Sequence, residues 1–102
     1  MTVDTVLTLE DFEPHIDSGF TIVHDGDLEI VLTLVEATPI KIYGKPEGMI
    51  RKPFSLLFQS VFQDALEQRL FRLRHDVMGD LEIFLVPTAR NETGIQYLAT
   101  FN

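Results

Sequence analysis

Few residues of this sequence could carry chemistry, and the histidines come first among them. His24 and His75 are each followed by an aspartate, Asp25 and Asp76. Imidazole and carboxylate groups together can bind a divalent cation. However, no two histidines have the spacing of a helical zinc site, and no segment matches a calcium-binding loop. Because His-Asp is also a common turn sequence, we favour a turn role and expect no cofactor. A metal or ligand site at these loops is the alternative hypothesis.

Nucleophilic and acid–base chemistry have weaker support. Ser18, Ser55 and Ser60 lie in no Gly-x-Ser-x-Gly elbow, and no glycine-rich phosphate loop is present. Glu29 and Glu82 alternate with apolar residues, so we expect them on an outward strand face without a cleft. These observations predict that the protein is not an enzyme.

The chain nearly repeats one motif, in residues 20–32 and again in residues 71–85. Both copies contain Phe, three residues, His-Asp, a Gly-Asp and Leu-Glu-Ile-x-Leu, and the second copy has Val77 and Met78 in addition. Apolar residues alternate with polar ones on either side of a turn sequence, which is typical of a β-hairpin. Each copy is therefore predicted to form one hairpin.

The alternation also predicts the register of each hairpin. In the first, a three-residue loop at 24–26 with Gly26 in the left-handed region keeps the apolar residues on one face. The expected cross-strand pairs are Ile22 with Leu28 and Phe20 with Ile30. In the second hairpin, we expect a five-residue loop at 75–79 that places Arg74 opposite Asp80. Pro87 is expected to end that strand.

The remaining segments complete a mainly β domain. Thr8 can cap a short helix that Pro14 keeps short, and Gly19 opens the first strand. Residues 44–53 are expected to form a loop, and residues 60–68 are ambiguous between a loop and one helical turn. With strands at 54–59 and 95–101 and a turn at 91–94, the sequence predicts a single domain over residues 1–102. Its expected fold is a six-stranded antiparallel barrel or small sandwich with one short N-terminal helix. The predicted core contains Phe20, Ile30, Phe54, Phe58, Phe71, Ile83, Leu85 and Phe101.

Composition limits the classes of partner. The chain has 102 residues, no cysteine and a net charge of −8, which argues against nucleic acid and anionic membranes as partners. The first residues show no signal peptide, and no apolar stretch approaches the roughly 20 residues of a membrane helix. We therefore expect a soluble, cytoplasmic protein.

Two features point to self-association. Four apolar residues of the repeated strands have the parity of the outer face, where a sheet exposed to water should be polar; they are Val31, Val35, Phe84 and Val86. Residues 1–40 contain nine acids and no lysine or arginine, and a cluster of basic residues follows. That cluster consists of Lys41, Lys45, Arg51 and Lys52. For the charges alone, we favour a solvated acidic half and a basic loop, and the alternative is that the basic residues of one copy meet the acidic half of another. We expect the apolar residues, with these basic residues beside them, to contact another copy of the chain, or a larger bacterial protein.

Three blocks in order carry a family resemblance: residues 53–58, residues 75–87 and residues 97–102. Together they resemble a small bacterial domain family of unknown function, over nearly the whole chain from Leu7. The resemblance implies no catalytic residues. It implies a structural or accessory role, because members occur alone or beside phage-tail-collar-like proteins. The sequence departs from the family pattern between Ser60 and Leu70, where a turn rich in glycine and proline is expected.

Overall fold

The structure is a computed structural model that describes residues 7–23, 29–41 and 52–101. Within these residues the chain forms one short helix, α1, followed by a 3₁₀ turn and six strands. The helix α1 spans Leu9–Phe12 and the 3₁₀ turn spans Glu13–His15. The strands are β1 (Gly19–Ile22), β2 (Ile30–Pro39), β3 (Phe54–Gln59), β4 (Arg69–His75), β5 (Gly79–Arg90) and β6 (Ile95–Phe101). None of the helical segments in the described ranges is long and apolar enough to cross a membrane.

The six strands form a closed antiparallel barrel in the order β1-β2-β3-β6-β5-β4. The repeated motif explains this order, because β1-β2-β3 and β4-β5-β6 are two successive three-stranded units. The units join along β3 and β6, which pair over six residues, and along the shorter seam of β1 and β4. The predicted fold is confirmed, and closure decides in favour of the barrel over the sandwich.

The core fills the interior of the barrel with the alternate residues of each strand. In β3, for example, Phe54, Leu56 and Phe58 are fully buried while the residues between them are half-buried. Seven of the eight predicted core residues are buried. The exception is Phe101, which is half-buried and stacks on the ring of Phe54 with a centroid separation of 4.6 Å. Parity along the strands was therefore predicted correctly.

The N-terminal helical segment closes on this core. Thr8 precedes α1 in an extended conformation, and its backbone N–H donates to the Asp11 carboxylate at 2.8 Å. Pro14 lies in the first turn of the 3₁₀ segment, where a missing N–H costs nothing. Phe12 is fully buried, and its ring centroid lies 5.7–6.5 Å from those of its aromatic neighbours. These neighbours are Phe20, Phe54 and Phe101.

The register predicted for the first hairpin is wrong by two residues. Ile22 pairs with Ile30, and Phe20 pairs with Leu32. A slip of two residues leaves every side chain on its original face, so the burial pattern cannot distinguish the two registers. The predicted loop at 24–26 lies outside the described residues.

The second hairpin has the predicted register but a tighter loop. Arg74 lies opposite Asp80 as expected, and the ladder continues to a pair between His75 and Gly79. The unpaired loop is therefore residues 76–78, three residues instead of five. Gly79, the first residue after this loop, has φ +78°, a left-handed conformation that glycine adopts without a steric penalty.

Pro87 does not end its strand, contrary to the prediction. Strand β5 continues to Arg90, and its register against β6 shifts between Pro87 and Ala89. A β-bulge is one of the few places in a sheet where proline fits, because the regular ladder is interrupted there. Residues 60–68 contain no helical turn. Leu66 instead donates its backbone N–H to the Tyr97 hydroxyl at 2.9 Å.

Candidate functional site

The outer surface of the barrel carries a continuous apolar stripe, which we call the outer band. The ladder places Leu70 beside Phe84, then Val86 beside Leu98, and Leu98 beside Leu57. Val35 extends the stripe onto β2, where the register shift against β3 lies between Leu34 and Glu36. The outer band thus crosses five of the six strands, and its residues are Val35, Leu57, Leu70, Phe84, Val86 and Leu98.

The middle of the outer band is open to solvent. Leu70 is 53% exposed and Phe84 is 50% exposed, although each is a large apolar side chain. The other four members are half-buried. Helix α1 does not shield this surface, because Phe12 packs into the barrel's aromatic core. A small domain exposes an apolar patch of this kind mainly where it contacts something else.

Charged pairs of opposite sign flank the band on the same face of β4 and β5. Arg72 lies opposite Glu82, with the charged atoms 3.6 Å apart, and Arg74 lies opposite Asp80 at 2.9 Å. The pKa of Asp80 is lowered, mainly by its hydrogen bond to Arg74, and the pKa of Arg74 is raised for the same reason. All four side chains are largely exposed, so water and salt screen their attraction.

Three of the four predicted apolar contact residues, Val35, Phe84 and Val86, belong to the outer band. Val31 is exposed on the same face of β2, but Thr33, which pairs with Gln59, lies between it and the band. Of the basic residues, Lys41 and Lys52 are exposed, and Lys45 and Arg51 lie outside the described residues.

A second cluster lies where the 3₁₀ turn meets the loop between β4 and β5. His75 is buried, and its ring centroid is 4.5 Å from that of His15 and 4.4 Å from that of Phe20. Its Nε2 atom is 2.9 Å from the Ser18 hydroxyl oxygen. Its Nδ1 atom accepts the backbone N–H groups of Val77 at 3.0 Å and Met78 at 3.1 Å.

This hydrogen bonding determines what the Ser18–His75 pair can do. Because Nδ1 accepts two backbone N–H groups, the proton of the neutral ring must be on Nε2. Nε2 therefore donates to the Ser18 oxygen, and the Ser18 hydroxyl in turn donates to the His15 carbonyl. A general base needs an unprotonated nitrogen facing the serine, with its other nitrogen protonated. The pair has the opposite arrangement, so His75 cannot activate Ser18.

The same bonds bear on the metal hypothesis. Both nitrogens of His75 are already used, and Asp76 lies in the exposed loop. His24 and Asp25, the equivalent candidates of the first hairpin, lie outside the described residues. Across the ranges 7–23, 29–41 and 52–101, no three metal-binding side chains come together.

Sequence reasoning missed half of the outer band, and it considered His75 and Ser18 separately without predicting that they meet beside His15. Leu57, Leu70 and Leu98 have outer-face parity like Phe84, and that signal was present in the strand pattern. No sequence signal connects Ser18 with His75, which are 57 residues apart. Only the pairing of β1 with β4 brings them together.

The fold and these two clusters define a small, closed antiparallel barrel with an apolar outer surface. The model of a family described as a domain of unknown function (DUF6916) matches residues 7–101. The chain belongs to this family. Searches of curated proteins and of solved structures found no match.

Proposed function

We propose that this domain is a non-enzymatic protein-interaction module that self-associates through the outer band. The observation that carries the proposal is the continuous apolar stripe whose central residues, Leu70 and Phe84, are half exposed. Burying such side chains on association is the main favourable term in forming protein interfaces. The stripe lies on regular strands, so it is a preformed surface that needs no rearrangement before contact.

The charged pairs beside the band support a second copy of the chain as the occupant. Arginines and acids occur there in equal number, two on β4 and two on β5. A two-fold axis that runs parallel to β4 and β5 and passes between them would place the arginines of one copy over the acids of the other, which makes the surface self-complementary. A strongly basic or strongly acidic partner would meet like charges at the same positions.

The exposed area indicates a modest affinity. Fully burying a leucine or phenylalanine side chain contributes about 1.5–3 kcal/mol, so burying the exposed halves of Leu70 and Phe84 contributes about half of that each. Two copies together double the gain, but association also costs several kcal/mol in lost freedom of motion. In a dimer these two side chains contribute about 3–6 kcal/mol before that cost, so the four half-buried members of the outer band must supply the rest. We expect weak association, in the high micromolar range, with no requirement for a dimer in folding.

The biological setting is a further part of the proposal. Resemblance to a bacterial family whose members occur beside phage-tail-collar-like proteins supports an accessory role in a phage-tail-like or secreted assembly. In such an assembly, repeated self-contact of one small domain would build or decorate a larger structure.

The test is sedimentation velocity over a concentration series from about 5 to 500 μM, which extends into the high micromolar range expected for a weak contact. The wild-type chain should shift toward dimer or larger species as its concentration rises. Phe84→Glu should remain a folded monomer, since it places a charge at the centre of the band and leaves the core intact. Val61→Glu is the matched control, because Val61 is also apolar and 71% exposed but lies off the band.

The control separates a specific surface from general stickiness. Val61→Glu should associate like the wild type, because Val61 lies off the outer band. It is a matched control because both variants add the same charge to the chain. If the wild type stays monomeric at 500 μM, the proposal of self-association is wrong. Equal loss of association in both variants would show that added charge, and not the outer band, controls contact.

A further inference from the structure

We propose that His15, Ser18 and His75 form an acid-sensitive latch that holds the N-terminal helical segment on the barrel, and that protonation of His75 releases it. The inference concerns a different part of the molecule from the outer band. It rests on the hydrogen bonds around His75 and on what the latched segment covers.

The first argument is the position of the Nδ1 atom of His75. It accepts the N–H groups of Val77 and Met78, at 3.0 and 3.1 Å, and so stabilises the three-residue loop between β4 and β5. Protonation converts Nδ1 from an acceptor into a donor. The added proton would then point at two other donors, so both bonds must break and the ring must turn away from the loop when it becomes charged. Turning the ring also takes Nε2 away from the Ser18 hydroxyl, although Nε2 remains a donor.

The second argument is the connection from His75 to the N-terminal segment. The Nε2 atom of His75 contacts the Ser18 hydroxyl at 2.9 Å, and Ser18 binds the His15 carbonyl through its hydroxyl and through its backbone N–H, the latter at 3.1 Å. His15 is the last residue of the 3₁₀ turn. The loop after β4 is thus tied through one serine to the end of the helical segment.

The third argument is the set of groups that face the imidazole of His75. From the 3₁₀ turn it meets the ring of His15 edge-on, with centroids 4.5 Å apart, and from β1 it meets the uncharged ring of Phe20. Burial lowers the pKa of His75, the nearby His15 lowers it further, and Asp76 in its own loop opposes them by raising it. The folded environment therefore favours the neutral ring.

The sign of the pH dependence follows from this direction. A free histidine has a pKa of about 6.5, and the latched His75 has a lower one. The unlatched state consequently binds more protons between these two values. The latch is at full strength above about pH 6.5 and weakens as the pH falls from there toward the lowered pKa.

Release would uncover an aromatic surface. The helical segment carries Phe12, which is fully buried against Phe20, Phe54 and Phe101. If α1 and the 3₁₀ turn leave the barrel, these rings become accessible at its end. An acid-released segment would therefore give the domain a second apolar surface, in addition to the outer band.

Amide hydrogen exchange by NMR on the whole chain tests the latch at pH 7.5 and pH 5.5. The reporters are the amides of Ser18, Val77 and Met78, each corrected for its intrinsic exchange rate. Their protection should fall at the lower pH, by up to about tenfold, which is the limit set by a free histidine pKa of about 6.5. At both pH values they should be at least tenfold less protected than the β3–β6 ladder amides, because they open locally.

Two variants make the test specific. His75→Asn keeps an oxygen acceptor near the Nδ1 position but does not titrate, so its reporter amides should show the same protection at both pH values. His15→Phe keeps the ring contact and removes the imidazole that lowers the pKa of His75, so the pKa of His75, followed by its imidazole NMR signals, should rise. If His75→Asn does not fold, the pH dependence of the wild type and the His75 pKa in His15→Phe still test the latch.

Several results would overturn the latch. One is wild-type reporter protection that does not change between the two pH values, or that changes equally in His75→Asn. Another is protection equal to that of the β3–β6 ladder, which would mean that the segment leaves only when the whole domain unfolds. A third is an Nδ1-protonated His75 at pH 7.5, because it contradicts the hydrogen bonds from Val77 and Met78.

Discussion

Replacing Gly94 by alanine should strongly destabilise the barrel, because the new methyl group has no space. Gly94 is buried where the turn before β6 passes the chain that leaves β3. A Cβ atom at this position would lie 2.3 Å from the Ser60 carbonyl oxygen and 2.8 Å from that of Phe62. Both obstacles are backbone atoms, so no side chain can rotate away. The two segments must separate by about 1 Å to restore ordinary van der Waals contact.

The magnitude follows from the bonds that this separation disrupts. The Ser60 N–H donates to the Ile95 carbonyl at 2.8 Å, and the Ile95 N–H donates to the Ser60 hydroxyl at 3.3 Å. Each buried group left without a partner costs about 1–3 kcal/mol. Alanine also restricts the unfolded chain, which offsets about 0.4–1 kcal/mol. We expect a net loss of about 2–4 kcal/mol in the free energy of unfolding, out of roughly 5–15 kcal/mol for a typical domain.

Urea denaturation followed by far-UV circular dichroism measures this loss, with Gly79→Ala as the matched control. Gly79 has a left-handed φ of +78°, but a Cβ there would meet nothing within 4 Å. Its replacement should cost only the conformational strain, about 1 kcal/mol. The Gly94→Ala midpoint should therefore fall clearly below that of Gly79→Ala at a similar slope. A Gly94→Ala midpoint equal to or above the control would refute the steric argument.

The remaining predictions concern the core and the charged rows. Phe71→Ala should lower the free energy of unfolding by about 3–5 kcal/mol, since Phe71 is 6% exposed. Phe84→Ala, at a half-exposed position, should lower it far less. Equal denaturant midpoints for the two variants would show that the inner and outer faces are assigned wrongly. A double-mutant cycle with Arg74→Ala and Asp80→Ala should show coupling close to experimental error in 150 mM salt, because both groups are exposed. Strong coupling that persists in high salt would contradict this.

Much of the fold was determined by the sequence alone. Alternation of apolar and polar residues assigns each side chain to a face, because a strand turns its side chains with a period of two. That rule identified the six strands and seven of the eight predicted core residues. It also placed Phe84 and Val86 on the outer face, where the structure has them. The turn at residues 91–94 and the extent of β6 followed from local chemistry in the same way.

The register of the first hairpin and the position of the bulges were decided by tertiary structure, whereas the register of the second hairpin was predicted from the sequence. Pairing Phe20 with Ile30 or with Leu32 buries the same side chains, so nothing local distinguishes the two registers. The register with Leu32 is the one found in the closed barrel, in which β1 pairs with β4 and β3 pairs with β6. These pairings join segments that are far apart in the sequence. The closed barrel also contains the bulge that allows β5 to run through Pro87.

The candidate sites show the same division. Membership of Phe84 in an apolar outer face is a local property that the sequence encodes. The continuity of that face from Leu70 to Leu57 is not, because it depends on which strands become neighbours. The histidine cluster depends on tertiary structure entirely. Ser18 and His75 meet only because the barrel closes, and the protonation state of the ring is set by backbone groups that have no sequence signature.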